Sequence, residues 1–569
     1  MMRFTDEAAR QGKVRGLRGD AQFAATVGQA GATAAQQVRD GGRGLAAAAA
    51  GGRDGEDEIA QREFGMGVGN FEACVHAPHT TLRRATRGFL CRTGSQGVAH
   101  VPFRDTCVRK YDTAALHSRR DFEMGAEALC QCCGSEQCRR ETNHKSRALA
   151  RCLLPALALL SFFTGCSTPQ NRTARRSRDH VFIAHWPAPE GAKGLRLAVK
   201  DLIDMKGVVT TAGSAHFAKN SPPALRDAKC LAIARERNVQ IVGKTNLAEL
   251  ALGVSGINSY FGTPRNRVSA KHRIIPGGSS SGSAVAVANG SADIAFGTDT
   301  AGSIRVPAAC CGIAGLKTTF GLISLDGVHP ISPKYLDTVG PMAKDVSHLV
   351  QGMDLLQRGF AGKYAGATAA KPSARSIRIG RLYVDGTDPK IDRAVDDALA
   401  AAGFKVVVLN KAFKTEWQQA DKDGRTVATA SAWLSDQKLM NEAGVSSMTK
   451  AVLVLGAIEY NTSYPAALKR RAQWQRTLRG VFKKVDFIAM PTLRTLPPAI
   501  PLFWGTTAIE TLVLGKQDTV AVNFAGNPAL ALPIPVQDKK VPVTSLQLVG
   551  PRLSEAQLLN AGRLIEAKR

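Results

Sequence analysis

Gly297-Thr298-Asp299-Thr300-Ala301-Gly302-Ser303-Ile304-Arg305-Val306-Pro307 decides how this chain is read. A strand turns tightly through small residues into a helix, and Ser303 sits at the turn. Two other stretches share its character. In Leu197-Ala198-Val199-Lys200-Asp201 a lysine ends an apolar strand. In Pro276-Gly277-Gly278-Ser279-Ser280-Ser281-Gly282-Ser283 a Gly/Ser loop leads into a small-residue helix, Ala284–Ala288. Alone, each has an ordinary reading: a solvated strand end, a surface loop, an N-cap serine. A phosphate cradle is a poor account of the loop, because no Lys follows in P-loop register and the GxGxxG spacing is absent.

Outward from these stretches, short apolar runs alternate with helical patterns from Leu195 to the end. Leu195–Val199 reads as a strand, Ala228–Arg237 as a helix and Val239–Val242 as a strand. Ile377–Tyr383, Ile391–Ala402 and Phe404–Leu409 read as strand, helix, strand, with Gly403 stopping the helix. Ser554 and Gln557 are spaced as a capping box for a last helix ending near Glu566. The Ala/Gly/Lys-rich stretch Gly362–Ser376 reads as a linker between two lobes. This alternation predicts an α/β fold with a central mixed sheet covered by helices. At 44% hydrophobic residues over 569 positions the chain can bury a large core, which excludes disorder throughout. Aromatics at 6% argue against a stacking platform for single-stranded nucleic acid.

Together the three stretches resemble the amidase signature family. PGGSSSGSA (276–284) stands for its Gly/Ser signature and GTDTAGSIRVPAACCGIAGLK (297–317) for its nucleophile segment. The 24-residue separation of Ser279 and Ser303 matches the family's spacing. Further matches are Lys244–Glu249, Asp337–Met342, Met490–Thr492 and Asn523–Ala529. The resemblance implies a Ser–cis-Ser–Lys triad: Ser303 as nucleophile, Ser279 as bridging serine after a cis peptide bond, Lys200 as base. A serine hydroxyl needs a base to take its proton, and a lysine serves only when neutral. Burial can lower a lysine's pKa by several units, on the order of 3–5 at the extreme. The turn implies an oxyanion hole from the backbone N–H groups of Thr300, Ala301, Gly302 and Ser303. Ala301 stands where the family commonly has glycine, which a negative φ would accommodate. Asp299 and Arg305 are expected to brace the loop. Cys310 and Cys311 read as buried small hydrophobes, not a second nucleophile. The approach to Lys200 is shorter than the family's usual helical segment, so one groove wall is expected to be missing or rebuilt.

The start of the chain differs from the rest. Residues 1–144 hold 18 Arg against 2 Lys, whereas residues 167–569 hold 26 of each. No sustained apolar period runs through 1–144, so it reads as an extension outside the enzyme, disordered or arising from a start codon placed too far upstream. Its Cys130, Cys132, Cys133, Cys138 and His144 offer one CxxC and no second pair, a poor zinc set. Lys145, Arg147 and Arg151 then precede an apolar run from Cys152 to Phe163 that ends in Thr164-Gly165-Cys166. A basic start, a short apolar run and small residues before a cysteine resemble a bacterial lipoprotein signal. The run is too short for a span, which needs roughly 20 residues. The division predicted is therefore extension 1–144, signal 145–166 with lipidation at Cys166, linker 167–190 and catalytic domain 191–569.

These features predict a secreted, lipid-anchored amidohydrolase of the cell envelope. It cleaves a carboxamide of a small molecule or peptide with water, through an acyl-enzyme on Ser303. If the signal reading is wrong, the enzyme is cytoplasmic. The resemblance implies no metal and no organic cofactor. Two alternatives are a glutaminase like the A subunit of glutamyl-tRNA amidotransferase, and a non-catalytic binding protein on the same fold. The intact Lys200, Ser279 and Ser303 argue against the second. The net charge of +22 over 167–569 reads as a basic solvated surface, since no nucleic-acid motif accompanies it. The family's specificity lies largely in a variable region, here Gly359 to Thr519, and the amide itself is not legible.

Overall fold

The computed structural model describes residues 179–568 apart from Glu190, Ala192 and 501–505. The predicted extension, the signal with Cys166 and the Cys130–His144 cluster lie outside the described residues. In chain order come β1 (Phe182–His185), β2 (Arg196–Lys200), α1 (Ala215–Asn220), α2 (Ala232–Glu236), β3 (Gln240–Thr245), α3 (Ser281–Ala288), β4 (Ile294–Thr298) and α4 (Arg305–Cys311). Then follow β5 (Ala314–Lys317), β6 (Val339–Ala343), α5 (Val346–Leu356), α6 (Phe360–Ala370), β7 (Arg378–Arg381), α7 (Pro389–Ala402) and β8 (Lys405–Val408). The rest is α8 (Lys411–Asp436), α9 (Ser447–Thr462), α10 (Tyr464–Val481), β9 (Phe487–Pro491), α11 (Thr506–Leu514), α12 (Val520–Ala525), β10 (Ala529–Pro535), β11 (Val543–Val549) and α13 (Glu555–Glu566).

Among the described residues these strands form one eleven-stranded sheet in the order β1-β3-β2-β4-β6-β5-β10-β11-β9-β7-β8. It is mixed, as predicted. Parallel pairings join β2 to β3 and β4, and β7 to β8 and β9. The other pairings are antiparallel. Strands covered on both faces read as unbroken apolar runs. Thus Ile294–Thr298 is buried at every position, and Leu197–Lys200 likewise. The sheet places β2 beside β4 in parallel, with Val199 opposite Phe296. Lys200 and Thr298 therefore leave the sheet at the same edge, and the site is built there.

The helix signals hold where the cap chemistry is local. Asp388 caps α7 by accepting from the Lys390 N–H, Pro389 occupies the first turn, and Gly403 ends it at φ 81°. Asn410 caps α8 through the Phe413 N–H. That helix buries Trp417 against Phe413 and Trp474, with the two indole centroids 5.7 Å apart.

Four expectations need correction. Gly362–Ser376 is no linker: α6 occupies Phe360–Ala370 and buries Phe360 and Ala367. Alanine is the best helix former, and the alanines of α6, with the burial of Phe360 and Ala367, outweigh Gly362 and Gly366 at roughly 1 kcal/mol each. The segment 167–190 is not wholly a linker. Phe182–His185 forms β1, antiparallel to β3, because Val181 and Phe182 are buried there. Ser554 and Gln557 form no capping box. The Ser554 hydroxyl donates to the Pro551 carbonyl at 2.7 Å, and α13 starts without a side-chain cap. Ala228–Arg237 is a 3-10 turn, Lys229–Leu231, followed by the short α2.

Candidate active site

Three segments converge at the shared edge of β2 and β4. Lys200 ends β2 and is fully buried. Its Nζ donates to Ser279 Oγ at 2.7 Å and to Thr298 Oγ1 at 2.7 Å. The Gly278–Ser279 peptide is cis, as the resemblance implied. Ser281 begins α3, and Gly282 lets that helix lie against neighbouring backbone, since a Cβ there would come within 2.5 Å of Asn246 N and Val181 O. Ser280 Oγ donates to the Thr298 carbonyl at 3.3 Å, which ties the loop to β4. Burial lowers the Lys200 pKa to about 7, against the opposing pull of Asp299 and Asp337.

The turn from Thr298 to Ile304 is held from inside. Asp299 takes a two-pronged contact from Arg305, whose Nε and Nη2 both lie at 3.0 Å. Arg305 is fully buried and also donates to the Thr519 carbonyl at 3.0 Å, Gln547 Oε1 at 2.7 Å and Asn523 Oδ1 at 2.5 Å. Burial alone would push the Asp299 carboxyl up. The Arg305 charge and hydrogen bond, with Lys317 and Asn523, hold it well below the usual carboxylate range. Through these contacts the pair spans the turn from Asp299 to Arg305. Asp299→Ala would leave Arg305 buried without its carboxylate, and should cost about 3–5 kcal/mol of stability. Urea unfolding checks this; a loss under about 1 kcal/mol would show that Gln547 and Asn523 suffice.

Ser303 is buried and lies on the wall of a cavity of about 150 Å³, together with Thr300 and Ala301. The N–H groups of Thr300, Ala301 and Ser303 meet no acceptor among the described residues. Gly302 departs from expectation: its N–H donates to Asp299 Oδ1 at 2.8 Å and is not directed at a substrate oxygen. Its glycine identity has another cause. At φ 133° an L side chain is strained, and a Cβ would run into Thr519. Ala301 is not among the positive-φ residues, so its methyl is tolerated. No hydrogen bond joins Ser279 Oγ to Ser303 Oγ; the two serines are tied by the Ser280 N–H bond to the Ser303 carbonyl at 3.3 Å.

Other contributors were assigned no role from the sequence. Thr298 is the second partner of Lys200. Asp337 accepts from Thr300 Oγ1 at 2.7 Å and from the N–H groups of Ile331 and Ser332 at 2.9 Å each, which fixes the first residue of the turn. Thr519 Oγ1 donates to the Ala301 carbonyl at 2.6 Å. Cys310 and Cys311 are buried on α4, and burial pushes the Cys310 thiol up to about 12, which fits a packing role. Among the described residues no group of three His, Cys, Asp or Glu side chains is placed to hold a metal ion.

A sequence model of the family described as Amidase matches residues 188–559. The chain is 34% identical over 391 residues to 2-amino-5-chloromuconic acid deaminase of Comamonas testosteroni, covering 66% of this chain and 81% of that one. It is 32% identical over 416 residues to the A subunit of glutamyl-tRNA(Gln) amidotransferase from Natronomonas pharaonis, covering 65% of this chain and 94% of that one. Among solved structures it resembles the corresponding protein from Thermotoga maritima, with a TM-score of 0.56 and 25% identity over 69% of this chain and 88% of that one. The chain belongs to the amidase family, hydrolases that act on amides.

Proposed function

We propose that this protein is a serine amidohydrolase that cleaves a carboxamide C–N bond with Ser303 as nucleophile, Ser279 as proton bridge and Lys200 as base. One observation carries the proposal: a fully buried lysine, its pKa lowered to about 7, lies 2.7 Å from Ser279 Oγ, one loop away from Ser303. In its neutral form Lys200 takes the Ser279 proton while Ser279 takes that of Ser303. Ser303 Oγ then bonds to the amide carbon, and the carbonyl oxygen becomes an oxyanion facing the N–H groups of Thr300, Ala301 and Ser303. Collapse breaks the C–N bond. The proton returns through Ser279 to the leaving nitrogen, and an ester on Ser303 remains. Water, deprotonated by the same route, hydrolyses that ester to the acid. The Ser279–Ser303 link would be completed when substrate binds, since catalytic hydrogen bonds often tighten only in the substrate complex. An amide panel read by ammonia release tests the activity; no turnover on any amide would contradict it.

A glutaminase reading has support in the similarity to amidotransferase A subunits, but the apolar cavity beside Ser303 favours a different acyl group. We also propose that the mature protein begins at a lipidated Cys166 and sits in the cell envelope. The support is the sequence from Lys145 to Cys166, with catalytic residues beginning only at Lys200. Among the described residues no helix is long and apolar enough to cross a membrane, so anchorage would rest on the acyl chains. Mass spectrometry of the membrane fraction should find an acylated N-terminus at Cys166, lost in Cys166→Ser. Peptides from 1–144 in the native protein, or a distribution unchanged by Cys166→Ser, would overturn this.

A further inference from the structure

The cavity beside Ser303 is apolar almost throughout. Its walls are Ile331, then Ala428 and Ala432 of α8, Met448 and Val452 of α9, and Val520 of α12. Two charged residues reach it, and both are engaged by the protein itself. Arg425 donates to Asp421 Oδ2 at 2.8 Å and to the Leu514 carbonyl at 2.6 Å. Glu510 accepts from the N–H groups of Val254 at 2.6 Å and Ser255 at 3.1 Å, and from the Ser255 hydroxyl. A zwitterionic substrate would have to bury charge there without a partner, which is costly. At the mouth stand Leu455 and Leu514, 46% and 37% exposed. Ile458, one turn along α9 from Leu455, is also exposed and extends the apolar strip outward. Single exposed leucines need no explanation. A strip continuous with a catalytic cavity is another matter.

Which half of an amide belongs in this cavity follows from the proton path. The leaving nitrogen must receive its proton from the Ser279 and Lys200 side, and neither residue lines the cavity. Thr300 and Ala301, whose N–H groups would face the oxyanion, do line it. The acyl substituent therefore points inward while the amine faces Ser279. An apolar cavity of about 150 Å³ is large enough to hold benzene.

We propose that this cavity selects carboxamides whose acyl group is apolar and about the size of a benzene ring, with Leu455, Ile458 and Leu514 accommodating an aliphatic extension. This rests on Ser303 being the nucleophile. The reaction is the one written above, with no additional reactant.

The test compares kcat/KM for acetamide, benzamide, hexanamide and L-glutamine. Benzamide and hexanamide should exceed acetamide by about 100-fold, from the area that the added carbons bury, and glutamine should rank below both. Ala428→Phe, which fills the cavity from α8, should reduce the benzamide-to-acetamide ratio about 10-fold or more. Leu455→Arg should lower the rate on longer aliphatic amides and spare benzamide. Thermal unfolding curves matching the wild type in both variants establish that the fold is intact. Acetamide or glutamine matching benzamide in an enzyme that labels at Ser303, or an unaltered ratio in a correctly folded Ala428→Phe, would overturn the selectivity and leave the amidase reading standing. No labelling at Ser303 and no hydrolysis of any amide would overturn both.

Discussion

Ser303→Ala is expected to lower kcat/KM for amide hydrolysis by on the order of 10⁴-fold or more while leaving the fold intact. No other hydroxyl takes its place on the cavity wall. The other hydroxyls that line it are engaged: Thr300 Oγ1 donates to Asp337 Oδ1, and Thr429 Oγ1 donates to the Arg425 carbonyl. The loss should fall on kcat, because the cavity proposed to hold the acyl group keeps its shape when one oxygen is removed. Steady-state kinetics with ammonia detection, alongside a thermal unfolding curve matching the wild type, checks it. Near-wild-type turnover would remove Ser303 from the mechanism.

Lys200→Met should be nearly as inactive, and should unfold at higher denaturant concentration than the wild type. The two effects share one cause. Burial lowers the Lys200 pKa to about 7 from the ordinary lysine value of 10.5. Between those two values the unfolded chain binds more protons than the folded one, so this group's contribution to stability rises with pH across that window. Below about 7 the penalty of burying the lysine is at its largest. Methionine of similar length removes the penalty. The stability gain should therefore be larger at about pH 6 than at about pH 9. Urea midpoints for both proteins at the two pH values measure it. An active Lys200→Met, or a stability difference independent of pH, would contradict the assignment. The charged partners that oppose the shift, Asp299 and Asp337, are present in both proteins.

The residues proposed to carry the chemistry stand out in the sequence because each sits in a short, locally defined stretch. Lys200 ends an apolar strand, Ser279 ends a Gly/Ser loop, and Ser303 occupies a turn of small residues. The mixed sheet was legible from apolar runs alternating with helical patterns. Asp299 and Arg305 were read as the loop's support, but the partners that hold Arg305 in place were not, because they arrive from far along the chain. Arg305 meets Thr519, Asn523 and Gln547, more than 200 positions away. Nothing local marks Gln547 as a partner of a buried guanidinium. The cavity walls were hidden for a different reason. Ala428, Ala432, Met448 and Val452 lie at apolar helix positions that read as core, and only their packing leaves a space between them. Gly302 shows the limit of reasoning from a motif: its N–H serves Asp299, and its glycine identity answers to φ and to Thr519. Composition misled at α6, where alanine and glycine suggested a linker and alanine's helix propensity prevailed.

The central claim is that a lysine made neutral by burial activates Ser303 through Ser279. It is tested most directly by the pH dependence of fluorophosphonate labelling, with the modified peptide identified by mass spectrometry. One adduct is expected, on Ser303, at a rate rising about tenfold per pH unit below pH about 7 and levelling above it. An adduct on another residue, or a Ser303 labelling rate that does not change across that range, would contradict it.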